Sequence, residues 1–380
     1  MAEVKRILIY GAGAIGRGFL APLLTGHGYE ISFVERDTRL RKRLAIQRRY
    51  RAAFTAEDTY SYVEVPVGGC FAPGEVTDIE KYDLVFSAVG PNNCYDLAHD
   101  FRRARAVISC ENDSDSARKL RELSGNEKIY FGIPDVITSS SAPPALLEKD
   151  PLTTVSEQGV LVLEAGDYQL PAEIPQLSAE ALEEHWLCKL FIHNAPHAII
   201  AYLGWLKDCR YIHEAMADPA IARVVEGAIG EITEGLIQTG MAASGFAHSY
   251  KEKELSRFRD KLLFDPIDRV AREPLRKLDQ ENRLVLAARL CVFTGRLPFN
   301  VAIGIRAALA YANPGDEEAV FLQNLRNSTG DRQILKKHCG IQYYDPLSQL
   351  ILDQDINEYT EEKQKGAGAV PATGSVRKPG

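Results

Sequence analysis

The sequence predicts an α/β fold: an N-terminal, doubly wound parallel sheet followed by a mainly α-helical C-terminal domain. Three observations predict it. Short apolar runs alternate with helical patterns through the first part of the chain. A glycine-rich turn follows the first of those runs directly. From about residue 178 the strand-like runs stop and helical periodicity takes over.

In chain order, residues 6–10 (RILIY) read as a buried strand that leads into glycines. Residues 14–27 carry Ile15, Phe19, Leu20, Leu23 and Leu24 on one helical face. Gly28 and a second strand, residues 31–35 (ISFVE), close a βαβ unit. The alternation continues through strands at 83–89, 106–110 and 128–132, with helices at 94–104 and 114–123. Repeated βα units of this kind build a mostly parallel sheet covered on both faces. Residues 60–68 read as an antiparallel insertion, and 153–168 as further strands. Helices follow at 178–193, 197–207, 218–241, 249–259, 280–293 and 300–312. Breaks fall at Asp218-Pro219, Gly245, Asp265-Pro266 and Asn313-Pro314. The expected domains are 1–185 and 186–355, with a disordered Gly/Lys/Pro-rich tail over 356–380.

Composition narrows the function classes. The formal charge of −7 argues against a nucleic-acid-binding protein. No apolar run reaches the roughly 18–20 residues of a membrane span, and the first ten residues lack a signal-peptide pattern. The seven cysteines are scattered, odd in number and include no C-x-x-C, so neither disulfides nor a cysteine zinc site is expected. These features fit a cytoplasmic protein with reduced thiols.

Gly11-Ala12-Gly13-Ala14-Ile15-Gly16 is a G-x-G-x-x-G turn placed between a strand and a helix, the context in which it binds a dinucleotide. Gly11 permits the turn, Gly13 admits the pyrophosphate, and Gly16 brings helix and strand together. The helix amino end then offers N–H groups to phosphate. Arg17 and Gly18 follow, with Arg17 as a further phosphate contact. Glu35 ends the second strand nineteen residues after Gly16. A carboxylate there accepts from the ribose diol and repels a 2′-phosphate, which favours NAD, while the adjacent Arg36 keeps NADP open. Val89, Gly90 and Asn112 stand at later strand ends, where they face a cofactor in such folds; loop capping is the ordinary alternative for Asn112.

A dehydrogenase also needs a base and donors for the reacting oxygen. No metal-ligand spacing is convincing: His193 and His197 are four apart without an obvious third ligand. Lys189, Asn194 and His197 form K-x-x-x-x-N-x-x-H. On an ideal α-helix they lie at roughly 0°, 140° and 80°, with Pro196 either kinking the helix or marking a first turn capped by Asn194. Spacing alone leaves open a surface lysine, a capping asparagine and a core histidine.

With these motifs assembled, the sequence resembles the polyol-specific long-chain dehydrogenases over about residues 6–350. GAGAIGRGF at 11–19, SAVGPN at 87–92, CEN at 110–112, KLFIHNAPHAIIAYLG at 189–204 and REPLRKL at 272–278 carry the resemblance in order and spacing. It implies that Lys189 is the general base and that Asn194 and His197 hydrogen-bond the reacting oxygen. Arg276 and Lys277 become candidates for the substrate or its phosphate, with a structural ion pair as the alternative. The implied reaction interconverts mannitol 1-phosphate and fructose 6-phosphate with NAD, without metal, in a monomer. The start on the first strand and the compact length point to the members with phosphorylated substrates. Related polyols, arabinitol phosphate and hexuronates remain alternatives. Pro196 replaces a usual glycine, residues 136–140 replace an Asp-Arg pair, and the Asn-Pro usual after Arg257-Phe258 is missing. These departures put the exact polyol in question and leave the cofactor motif intact.

Overall fold

The structure is a computed structural model that describes residues 5–139 and 142–360. Packing divides the chain into two units: Met1–Lys189 with Asp260–Asp265, and Leu190–Arg259 with Pro266–Gly380. Most of the expected tail lies outside the described residues; at its start the expectation is corrected, because Asn357–Tyr359 form a 3-10 turn with Tyr359 buried.

In the first unit, β1 (Arg6–Tyr10) feeds a helix that starts at Ala14, passes through a π turn, Gly16–Leu20, and continues as α1 (Ala21–Gly26) before β2 (Glu30–Val34). α2 (Thr38–Gln47) starts at Asp37, whose carboxylate accepts from Arg39 N and Leu40 N. Losing such a cap costs about 1 kcal/mol. The hairpin β3 (Arg49–Ala56) and β4 (Thr59–Pro66) is the expected antiparallel insertion. Then come β5 (Gly69–Phe71), β6 (Leu84–Ser87), α3 (Ala98–Phe101), β7 (Val107–Ser109), α4 (Ser116–Ser124) and β8 (Ile129–Asp135). β9 (Thr138–Ser139), α5 (Pro144–Leu147), β10 (Thr154–Ser156), β11 (Val160–Glu164), β12 (Gln176–Leu177) and α6 (Ala179–Cys188) complete it.

The main sheet runs β12-β11-β8-β7-β6-β1-β2-β5. It is parallel from β5 to β8, and β11 is antiparallel to β8. Ile7, Leu8 and Ile9 are all 0% exposed, so both faces of β1 are covered; that is why its sequence does not alternate. Strand order reverses at β1, and the crevice beyond the carboxyl ends at such a switch point is where ligands bind in open α/β sheets.

A smaller sheet, β4-β3-β10-β9, packs on the π turn and supplies hydroxyls to its carbonyls. Tyr50 Oη donates to Arg17 O (2.6 Å), and Ser156 Oγ to Gly18 O (2.9 Å). A widened turn leaves carbonyls that need partners, and these side chains provide them.

The second unit is helical: α7 (Ala195–Leu206), α8 (Ile212–Ala217), α9 (Pro219–Gln238), α10 (Ser244–Phe258), α11 (Ile267–Ala271) and α12 (Pro274–Leu278). α13 (Arg283–Phe293), α14 (Phe299–Ala310), α15 (Glu317–Thr329), α16 (Asp331–Lys337) and α17 (Pro346–Leu352) follow. α7 is buried along nearly its whole length, which matches its apolar character on every face. Gly304 of α14 lies so close to Ile199 of α7 that a Cβ there would overlap the isoleucine side chain. Full burial of a side chain like Ile199 contributes about 1.5–3 kcal/mol. The expected break at Asp218-Pro219 starts α9, with Asp218 accepting from Ala220 N and Ile221 N.

Candidate active site and cofactor cavity

At the switch point the glycines do what their positions require. Gly11 has φ +92°, and a Cβ there would meet Ala88 O at 2.5 Å. A Cβ on Gly16 would overlap Gly11 O, so helix and turn touch. A Cβ on Gly13 would meet nothing within 4 Å, so this residue faces open space. That open side belongs to a cavity of about 300 Å³, bordered by Gly11, Gly13, Glu35, Arg36, Val89 and Asn93 among others. The cavity therefore has the glycine cradle and the acidic ribose reader that a dinucleotide needs.

Glu35 is held rigidly. Its Oε2 accepts from Ala12 N and its Oε1 from Asp37 N, both at 2.8 Å. Each carboxylate oxygen retains a further lone pair for a ribose hydroxyl. Arg36 Nη1 donates to Asn93 Oδ1 (3.1 Å) at the rim.

Two expected cofactor residues have other surroundings. Arg17 is buried, its Nε donating to Ala12 O (3.1 Å) and its Nη1 to Leu152 O, with its guanidinium over the Tyr50 ring. From the π turn its side chain runs into the protein, where its bonds are to backbone carbonyls. Gly18 faces the small sheet, where a Cβ would collide with Thr138 Oγ1; its smallness serves packing. Ala14 and Ile15 form the first helical residues before the π turn. Asn112 is half-buried next to Glu111 and does not border the cavity.

Glu111, in the CEN segment, is a buried acid behind the cavity-edge loop that sequence reasoning passed over. It is 3% exposed and accepts from Ser87 Oγ (2.6 Å), Val89 N (3.0 Å) and Gly90 N (2.8 Å). Burial raises its pKa, and these bonds oppose the rise. It fixes the loop at the cavity edge, where Gly90 has φ +95°. Tyr10 and Asp96 also border the cavity and were not expected.

Lys189 ends the first unit. It is 9% exposed, and its Nζ donates to Pro134 O (2.6 Å) at the carboxyl end of β8. The neighbouring Asp135 Oδ2 lies 3.1 Å from His185 Nε2, one turn earlier on α6. Residues Lys189–Asn194 form a π turn between α6 and α7. The 140° offset expected from ideal α geometry therefore does not apply over these residues, because i→i+5 bonding replaces i→i+4. Asn194 has αR torsions and no side-chain cap bond, so it is not the N-cap that its place before Pro196 suggests. Proline lacks an N–H and crowds the carbonyl four residues back. The π turn ahead of it widens the helix at that carbonyl, so the helix continues without a break.

In the second unit Asn194 and His197 are 6% and 9% exposed. The His197 ring stacks on Phe258 (centroids 5.2 Å apart) and lies 5.0 Å from His193. Arg276 and Lys277 sit on α12. Arg276 Nε binds Glu273 Oε2 (2.6 Å), and Lys277, 4% exposed, donates to Arg272 O. Burial, with Arg283 and Arg276 nearby, holds the Lys277 amine far below its ordinary pKa. Burial and Arg276 lower Arg283 to about 10. The hydroxyl of Tyr202 is buried without a hydrogen-bond partner among the described residues.

Among the described residues no group of three His, Cys, Asp or Glu side chains is arranged to hold a metal, and no helix is long and apolar enough to cross a membrane.

Two family models match the chain: the mannitol dehydrogenase Rossmann domain over residues 5–127 and the mannitol dehydrogenase C-terminal domain over 181–361. A mannitol-1-phosphate 5-dehydrogenase of Halalkalibacterium halodurans is 33% identical over 368 residues, covering 90% of this chain and 98% of the relative. That of Exiguobacterium sp. is 34% identical over 381 residues, covering 94% and 98%. Among solved structures, the mannitol 2-dehydrogenase of Pseudomonas fluorescens in ternary complex with NAD and D-mannitol shares the fold, with a TM-score of 0.74 at 16% identity over 96% of this chain and 95% of that one. The sheet with its glycine turn, the helical second unit and full-length relatives at this identity lead to one assignment: the chain is an oxidoreductase of the mannitol dehydrogenase family.

Proposed function

We propose that this chain is an NAD-dependent mannitol-1-phosphate 5-dehydrogenase, interconverting mannitol 1-phosphate and fructose 6-phosphate with Lys189 as general base. One observation supports this most. Lys189 Nζ is anchored at the carboxyl end of β8, on the edge of the same parallel sheet whose β1, β2 and β6 ends border the Glu35 cavity. An amine is thus fixed on the ligand-binding edge of the cofactor sheet. NAD, held by the glycine turn and Glu35, would supply the hydride acceptor. Lys189 Nζ takes the hydroxyl proton as the C–H bond breaks and the carbonyl forms. Asn194 and His197 donate to that oxygen and stabilise its developing charge. The lysine supplies the base, so the step needs no metal.

The phosphate reading is supported by Arg276, Lys277 and Arg283. Three neighbouring cations, two of them buried and, among the described residues, only Arg276 paired with Glu273, with an orphan hydroxyl at Tyr202, suit an anionic ligand. The reading extends to a monomeric, cytoplasmic enzyme with a small sugar alcohol phosphate as its partner; sedimentation and cell fractionation check those two points.

NADH formation with mannitol 1-phosphate, mannitol, arabinitol and altronate tests the substrate. Turnover should be highest with mannitol 1-phosphate, and Lys277→Met should raise its KM while sparing mannitol. Turnover only with unphosphorylated polyol would discard the phosphate reading, and none with any polyol would discard the enzyme.

A further inference from the structure

Beside His197 lies a buried group that the mechanism above does not use. Glu254 is 0% exposed, and its Oε2 lies 2.6 Å from His193 Nδ1. Its Oε1 accepts from Arg257 Nη1 (2.5 Å), and Lys253 Nζ stands 3.6 Å away. Two cations of its own helix, α10, therefore balance the carboxylate, and His193 is not needed as a third. Burial pushes the His193 imidazole down to about 4 against the pull of Glu254. The ring is neutral at pH 7. Beside a carboxylate, a neutral imidazole donates, so Nδ1 carries the proton and Nε2 does not.

His193 and His197 share one support. The Phe258 ring stacks on both, at 5.5 Å and 5.2 Å between centroids, and the two imidazoles lie 5.0 Å apart at 55°. Phe258 is 1% exposed. The torsion that turns an imidazole about its Cβ–Cγ bond is soft and nearly two-fold. A flip exchanges ring nitrogen for ring carbon and removes the donor from its target. A ring packed against Phe258 and an immobile neighbour is held against that flip.

We infer that Glu254 and His193 are positioning residues: their buried hydrogen bond fixes the His193 ring, which with Phe258 orients His197 toward the reacting oxygen. Glu254 acts on His193, and His193 acts on His197; neither touches substrate. The inference rests on the reading that His197 contacts that oxygen.

Stopped-flow hydride transfer, with the polyol of highest turnover in its light and C-deuterated forms, tests it in His193→Leu, His193→Asn and His197→Ala. His193→Leu removes the bond to Glu254, and a misplaced donor should lower kcat about 10- to 100-fold, raise the deuterium isotope effect and leave the NADH Kd within about twofold. His193→Asn keeps an amide donor near the position of Nδ1 and should retain most of the rate. A merely structural role would lower melting temperature without changing the isotope effect. Should His193→Leu fail to melt cooperatively, His193→Gln, whose donor lies farther along the side chain, replaces it with the same expectation. Wild-type hydride transfer in the Leu or Gln variant, alongside a slow His197→Ala, would overturn the positioning role and leave the function of His197 intact. Wild-type transfer in His197→Ala would instead remove the reading on which it rests.

Discussion

Replacing Glu111 with glutamine tests how the cofactor cavity is built, because it keeps the shape of the side chain and changes one acceptor. In the wild type, Oε1 accepts from Ser87 Oγ and Val89 N, and Oε2 from Gly90 N. Glutamine offers one acceptor oxygen and one NH₂ group. With the oxygen toward Val89, the NH₂ faces the N–H of Gly90. With the amide reversed, it faces the N–H of Val89. Either way a part-buried backbone N–H loses its acceptor, at a cost of about 1–3 kcal/mol. The loop can relieve that cost by moving toward water in the free protein, and binding must then restore it. A cost of that size corresponds to an NADH Kd raised about 5- to 150-fold. Fluorescence titration with NADH reads the constant. Glu111→Asp, which keeps the charge on a shorter arm, separates charge from reach. An NADH Kd unchanged in Glu111→Gln would refute the claim that this carboxylate shapes the cavity edge.

Three further expectations follow from the same geometry. Arg17→Met should lower the melting temperature, because it orphans the carbonyls of Ala12 and Leu152, and should weaken NADH binding little; the reverse pattern would restore Arg17 as a phosphate contact. Glu35→Gln should reduce the preference for NAD over NADP, measured as the ratio of kcat/KM values, and an unchanged ratio would mean that another group reads the ribose. The buried His193 resists protonation more in the folded than in the unfolded chain, so it supports stability above about pH 6.5, and that support is lost as pH falls toward about 4. Chemical denaturation across this window should therefore show a shallower loss of stability in His193→Asn than in the wild type, and parallel curves would contradict the burial argument.

Local features were legible because local rules govern them. The apolar run of β1, the glycines and Glu35 form one βαβ unit, and the dipeptide Asp218-Pro219 starts α9 as its cap chemistry requires. What escaped depends on partners far along the chain. β3 pairs in parallel with β10, about a hundred residues later, and no turn signal announces it. That pairing builds the small sheet whose Tyr50 and Ser156 hold the first π turn, which in turn sends Arg17 inward. A second π turn spans Lys189–Asn194, where the spacing reads as an ideal helix. Asp260–Asp265 packs with the first unit although its neighbours on both sides belong to the second. Glu111 stood in plain view within CEN, but only the hydrogen bonds to Ser87, Val89 and Gly90 show why an acid is there.

Single-turnover hydride transfer in Lys189→Met, with NADH affinity measured in parallel, tests the central claim most directly. The account predicts a rate about 10²- to 10⁴-fold slower, NADH binding close to wild type, and loss of the basic rise in the pH–rate profile. A variant that transfers hydride at the wild-type rate with that profile unchanged would contradict it.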